Sequence, residues 1–142
     1  MSAYVTATML AGRLKASYSR LYALPADQAD LDRDLTAVGG LVDSYLGQRY
    51  TVPVADAQAL TVVQALALDL AEEIAWRRAS GTEIPAKVKD AATTARQTLE
   101  KMGAGKLSLA GAAAAESDAA GAAGILVSGQ DPQFTRDQLA GY

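Results

Sequence analysis

The stretch between Leu60 and Ala75 is apolar on nearly every side of a predicted helix that runs from about Ala57 to Ala79. A helix with apolar residues all round has to be surrounded by other elements, so it belongs in the centre of a bundle or of an oligomer. Its polar residues fall on a narrow strip, and Ser80 with Gly81 would end it. This one element therefore favours a packed helical body over a sheet.

The composition agrees with helix packing. The 142 residues suit a single domain, and they include 31 alanines but only 6% aromatic residues. Alanine is the best helix former and lets helices approach closely. The chain has no cysteine and no histidine, which excludes disulfide scaffolds, zinc ribbons and the commonest general base. A net charge of −3 gives no general reason to coat nucleic acid, and no apolar run is long enough to predict a membrane span.

Three further helices are predicted. The first begins near Thr6 or Thr8 and ends at about Ser17, and the residues from Tyr18 to Gln28 are predicted to form a loop. The second starts with Asp30 as N-cap, ends before Gly47, and contains a Gly39–Gly40 pair, which predicts a kink or a close backbone approach. The last covers about Pro85 to Met102. Apolar residues recur at helical spacing in the two longer ones, at Leu31, Leu35, Val38, Val42 and Tyr45 and at Val88, Ala92, Ala95, Leu99 and Met102.

The sequence thus predicts an all-α fold, a small bundle of about four helices with an extended, partly β C-terminal arm. Residues 1–109 form the helical domain, which ends in a possible short strand at Lys106–Leu109. Residues 110–124 are rich in Ala and Gly and are typical of a flexible linker. Residues 125–142 carry apolar side chains, which favours an arm that docks on its own bundle or on a neighbour.

Two clusters are candidates for chemistry. The first is the acidic cluster Asp69, Glu72 and Glu73, in which Asp69 and Glu73 are four positions apart and so share a helical face, as acid–base catalysis or a hard metal ion would need. The alternative is a solvated strip in which Glu73 pairs with Arg77, and this is favoured because no nucleophile or histidine accompanies the cluster. We therefore predict no catalytic residue, no cofactor and no metal site, and the chain is not expected to be an enzyme.

The second cluster is basic: Trp76-Arg77-Arg78 stands near Lys87 and Lys89. It could bind phosphate or DNA, but arginines at the end of a helix more often complement its dipole. These residues leave a small helical DNA-binding or regulatory protein as the alternative to a structural role.

A resemblance to a known family adds to this interpretation. The segment DSYLGQRYTVPV, residues 43–54, resembles the "I-D-x-Y-L-x-x-R-Y-x-L-P-L" motif of head–tail connector proteins of Mu-like tailed phages, and its motif residues are Tyr45, Arg49, Tyr50 and Pro53. The terminus QFTRDQLAGY, residues 133–142, is similar to the family's "F-[ST]-R-D-x-L-x-G-[FY]" ending. Tyr4, the Leu68-Asp69-Leu70-Ala71 run and the Gly105–Leu109 segment stand in the same order as in the family. Residues 17–30 depart from the family's pattern, so the resemblance does not extend to the first loop.

The resemblance implies a structural subunit of the virion neck, assembled in the host cytoplasm. Copies would form a ring, typically of twelve, between the portal protein and a tail-side stopper or tail completion protein. DNA would pass through the lumen without sequence-specific binding, with Glu72 and Glu73 as possible lumen-facing residues, and no membrane would be involved. The residues expected to dock on the portal or on a neighbouring subunit are Ile125, Leu126, Val127, Phe134, Arg136, Leu139 and Tyr142.

Overall fold

The structure, a computed structural model, describes residues 4–78 and 83–115. This part of the chain forms five helices, α1 (Ala7–Leu14), α2 (Ala16–Leu21), α3 (Pro25–Leu46), α4 (Ala57–Arg78) and α5 (Ala86–Gly103). Within these residues there is no strand, and one isolated β-bridge joins Tyr50 to Ala114. The all-α prediction is confirmed for the described residues. The β character predicted for residues 125–142 lies outside them.

Helix α4 is the central element, as its apolar circumference predicts. It packs against each of the other four helices, and its buried apolar residues are mostly small, which allows the close approach. They are Ala59, Val63, Ala67, Leu70, Ala71 and Ala75. No helix of the described residues is both long enough and apolar enough to cross a membrane.

The predicted stripes of α3 and α5 form the rest of the core. Leu31, Leu35, Val38 and Val42 are buried on α3, although the last buried member is Leu46 and not the predicted Tyr45. All five predicted inward residues of α5 are buried. Each fully buried Leu or Val contributes roughly 1.5–3 kcal/mol of transfer free energy. The hydrophobic spacing therefore located the core correctly.

The start of α3 differs from its prediction. The helix begins at Pro25, five residues before the predicted cap Asp30. Proline suits a first helical position because its missing N–H would have no helical partner there. The carboxylate of Asp27 accepts the N–H of Leu24 at 2.8 Å, which closes the first turn. The side chain of Asp30 is therefore available to bind another element. The loop predicted at residues 18–28 is wrong over most of its length, because α2 and α3 occupy most of it.

The first predicted helix is divided in two. Lys15 adopts a positive φ of 49°, which interrupts the helix and separates α1 from α2. A positive φ is uncommon for a residue with a Cβ atom, and nothing in the amino-acid pattern marks Lys15 as a break. Residues 16–21 resume helical geometry and bring Tyr18 and Tyr22 within 5.4 Å, centroid to centroid. The predicted single helix is therefore wrong beyond Leu14.

The strand predicted at Lys106–Leu109 is also wrong, because its backbone closes the end of α5. Gly105 has a φ of +74°, the Lys106 N–H donates to the Lys101 carbonyl at 2.8 Å, and the Gly105 N–H donates to the Met102 carbonyl at 3.1 Å. These are the paired bonds of a Schellman motif, in which glycine takes the left-handed position. The N–H groups of Lys106 and Leu107, which a strand could have offered to a neighbouring strand, both donate to the Lys101 carbonyl at the helix end.

Candidate functional site

The motif residues lie where three segments of the chain meet. The connection after α3 receives the segment that follows α5, and we call residues 43–54 together with residues 103–115 the motif seat. Tyr50 is 6% exposed, and its hydroxyl accepts the N–H of Leu109 at 2.9 Å. Tyr50 is therefore packed beneath the segment that follows α5.

Backbone hydrogen bonds fix the course of the returning segment. The Thr51 N–H donates to the Ala113 carbonyl at 2.9 Å, and the Ala115 N–H donates to the Arg49 carbonyl at 2.9 Å. The Thr51 hydroxyl donates to the Ala114 carbonyl at 3.0 Å. Residues 110–115, the first part of the predicted linker, therefore lie along the helical body, and the division of the chain into domains stays a prediction beyond them.

Glycines allow this segment to come so close. A Cβ on Gly103 would overlap the carbonyl oxygen of Tyr45, and a Cβ on Gly105 would overlap the guanidinium of Arg49. The side chain of Arg49 lies against the turn that follows α5. The peptide bond between Val52 and Pro53 is cis.

The N-terminus joins the same seat through Tyr4, which is 1% exposed. Its hydroxyl donates to Asp43 on α3 and accepts the N–H of Val54 at 3.1 Å. Burial, and next the hydrogen bond to Asp43, raise the pKa of Tyr4 to about 12. The hydroxyl thus remains protonated at neutral pH and ties residues 4, 43 and 54 together.

The acidic cluster of α4 is split between two partners. Arg13 of α1 binds Asp69 at 2.6 Å and Glu72 at 3.0 Å. Glu73 turns to the other side, where it is 5% exposed and binds Arg77 at 2.6 Å and also Arg96. The predicted pair between Glu73 and Arg77 is confirmed. The prediction that Glu73 lies on a solvated strip is wrong, because its side chain is buried.

The carboxylates of α4 therefore already have partners within the subunit. No group of acidic residues in the described ranges has a geometry that could hold a metal ion. The lumen-facing positions predicted for Glu72 and Glu73 depend on an assembled ring and stay predictions. Arg13 and Arg96 were missed as partners, since only tertiary packing brings them to α4.

Sequence reasoning also missed a second cluster, at the other end of α3. Arg78 donates to Asp27, Asp30 and Asp34 at 3.3, 3.0 and 3.3 Å, and we call these four residues the acidic cap. The Arg78 guanidinium also stands 5.1 Å from the centre of the Tyr22 ring, a distance at which a cation and an aromatic face attract each other. The spacing of the three aspartates places them on one helical face, which was the available signal.

Charges shift the pKa values in the acidic cap. The hydrogen bond to Arg78 is the largest cause that lowers the pKa of Asp30, and the same bond raises the pKa of Arg78. Burial, and next the charge of Asp34, raise the pKa of Tyr22 to about 12. Arg77 and Arg78, two of the cations in the predicted basic patch, are thus held in ion pairs inside the subunit.

The predicted docking residues of the arm lie outside the described residues, so their roles stay predictions. They are Ile125, Leu126, Val127, Phe134, Arg136, Leu139 and Tyr142.

The chain was compared with known proteins. A family model described as Bacteriophage Mu, Gp36 matches residues 4–128. That range includes the five helices of the described residues and the whole motif seat. No curated protein and no solved structure gives a significant match.

Proposed function

We propose a function on the premise that this is a bacteriophage protein that belongs to the Bacteriophage Mu, Gp36 family. The chain is a structural head–tail connector subunit, and copies of it form a ring between the portal and the tail. The observation that carries the proposal is the family match over residues 4–128, together with the resemblance of residues 43–54 and 133–142 to connector motifs. The subunit has no enzymatic role in this proposal.

The motif seat supports an arm that leaves the body at a fixed place. Ala115, the last described residue, is bonded to Arg49, and the seat is tied to α3 and to the N-terminus through Tyr4. A segment that starts from a rigid point loses less freedom when its end docks than one that starts from a loose loop. The seat is therefore suited to present residues 125–142 to the portal or to the next subunit.

A ring multiplies modest contacts, because every joint buries the same pair of surfaces. Its partners in this proposal are further copies of the chain, the portal protein and a tail-side stopper or completion protein. DNA passes through the lumen without base-specific contact. The net charge of −3 suits a passage in which DNA slides and does not adhere.

The proposal is tested with portal rings of the phage that encodes the chain. A Phe134→Ala, Leu139→Ala double variant is expected to lose at least about tenfold in portal affinity by co-sedimentation, since two buried apolar anchors are removed. A Gln133→Ala, Gln138→Ala double variant is the matched control and should bind like the unchanged protein. Helicity by circular dichroism should be the same in all three.

Equal portal binding by both double variants would reject docking through the arm. Full-length chain that binds no portal, and that instead binds duplex DNA with a strong salt dependence, would reject the connector role and favour the DNA-binding alternative.

A further inference from the structure

One face of α4 is covered along only half of its length. In the C-terminal half, Asp69 and Glu72 lie under α1, where both bind Arg13 at 2.6 and 3.0 Å. Residues spaced by three or four positions share a helix face, so the same face continues towards the N-terminus of α4 through Ala65 and Val62. The described helices leave this continuation exposed.

We call the exposed continuation the open half-face, and its members are Gln58, Thr61, Val62 and Ala65. Val62 is 43% exposed, and the hydroxyl of Thr61 is bonded to the Ala57 carbonyl at 2.9 Å. No charged residue occurs between positions 57 and 68. Solvated helix faces usually carry charges, so α4 has its charged positions on the covered half and uncharged positions on the open one. An exposed helix face without charged residues is expected where another segment covers that face.

The chain itself contains a segment that matches this surface. Residues 119–130 carry no charge and include the apolar run Ile125-Leu126-Val127. The ten residues after Ala115 span at most about 36 Å. Ala115 is bonded to Arg49, and the path from Thr51 to Val62 is at most about 29 Å, as six extended residues followed by five helical ones. The run can therefore reach the open half-face of its own subunit.

We infer that residues 125–127 pack on the open half-face of the same chain in the free subunit. A segment tethered to the protein that carries its binding surface has an effective concentration of the order of millimolar at that surface. At micromolar protein concentration, binding within one chain is therefore favoured over binding to a second copy. The contact removes Val62 and the three apolar side chains from water together. This inference goes beyond the proposed function, because it concerns the subunit before assembly. Docking of the arm in a ring then requires that the run leave its own α4.

Introduced cysteines test the contact without interference, since the chain has none of its own. The test variant combines Val62→Cys with Leu126→Cys, and the matched control combines Thr94→Cys, at an exposed position on α5, with Leu126→Cys. Both full-length variants are oxidised at about micromolar concentration, where a tethered pair reacts mainly within one chain, and are separated by non-reducing electrophoresis. Circular dichroism before oxidation verifies that both are folded.

The inference predicts that the disulfide within one chain forms at least about tenfold faster at positions 62 and 126 than at 94 and 126, because the packed run holds the first pair together. Equal rates in the two variants would overturn it. Dimers linked between chains, as the main product, would also overturn it and would make a second copy the occupant. No portal protein is present, so neither result depends on whether the chain is a connector.

Discussion

The two ends of α3 are fastened by different means. At the C-terminal end, the motif seat uses buried tyrosine hydroxyls, backbone hydrogen bonds and the close approach of glycines. At the N-terminal end, the acidic cap uses partly exposed ion pairs around Arg78, whose side chain is 20% exposed. Ion pairs reachable by water contribute less than buried hydrogen bonds whose loss would leave a donor unsatisfied. The seat should therefore be the less tolerant of change.

The strongest test of this difference is Gly103→Ala in the seat. The added Cβ would overlap the backbone oxygen of Tyr45, which cannot rotate away as a side chain could, so α3 and α5 must move apart. The expected loss is about 3 kcal/mol in the free energy of unfolding, measured by urea denaturation.

Gly40→Ala is the matched control, with the same added atom in the middle of α3. Nothing lies within 4 Å of that Cβ position, so the close backbone approach predicted for the glycine pair does not occur at Gly40 within the subunit. Alanine is the better helix former, and the protein should gain roughly 0.5–1 kcal/mol. If both substitutions change stability by the same amount, tight packing in the seat is not what holds this end of α3.

An intermediate effect is expected for Arg78→Leu in the acidic cap. The substitution leaves Asp27, Asp30 and Asp34 close together without their cation, and the loss should be about 2 kcal/mol, between the values for exposed and buried pairs. Arg33→Leu is the control, because Arg33 is 70% exposed and binds only Asp30 among the ion pairs of the described residues. It should cost less than about 0.5 kcal/mol. A larger loss from Arg33→Leu than from Arg78→Leu would show that the helix surface, and not the contact between α3 and α4, fastens this end.

The same contrast explains what the sequence could predict. Apolar spacing identifies α3, α4 and α5 and their inward faces, because burial repeats with the helical period. The seat could be located through Tyr50, since the motif is continuous along the chain. The contact between Tyr50 and Leu109 could not be predicted, because the two residues are 59 positions apart and only the packed bundle brings them together.

The acidic cap shows why the N-terminal end of α3 was missed. Asp27 and Asp30 are equally good as N-cap or first-turn residues, so local preference could not decide where the helix starts. In the structure Asp27 accepts the Leu24 N–H in the first turn, and both Asp27 and Asp30 also accept hydrogen bonds from Arg78. Arg78 is 48 positions beyond Asp30 in the sequence, so local propensity gives no sign of this contact.

The smallest expected effect is a difference in pH response between the two ends. The pKa of Asp30 is lowered in the folded protein, so its contribution to stability is present above the unfolded value of about 3.9 and is lost as the pH falls below it. The pKa values of Tyr4 in the seat and Tyr22 beside the cap are both raised to about 12, so their contributions are present below the unfolded value of about 10 and are lost as the pH rises towards 12. Acid should therefore loosen the cap, whereas alkali should loosen both ends. Hydrogen exchange of backbone amides in the first turns of α3, compared with the amides of Val54 and Leu109, measures each end separately. Earlier loss of protection at Val54 and Leu109 than in the first turns of α3, as the pH is lowered from 7 to 3, would contradict the assignment of the ion pairs to the weaker end.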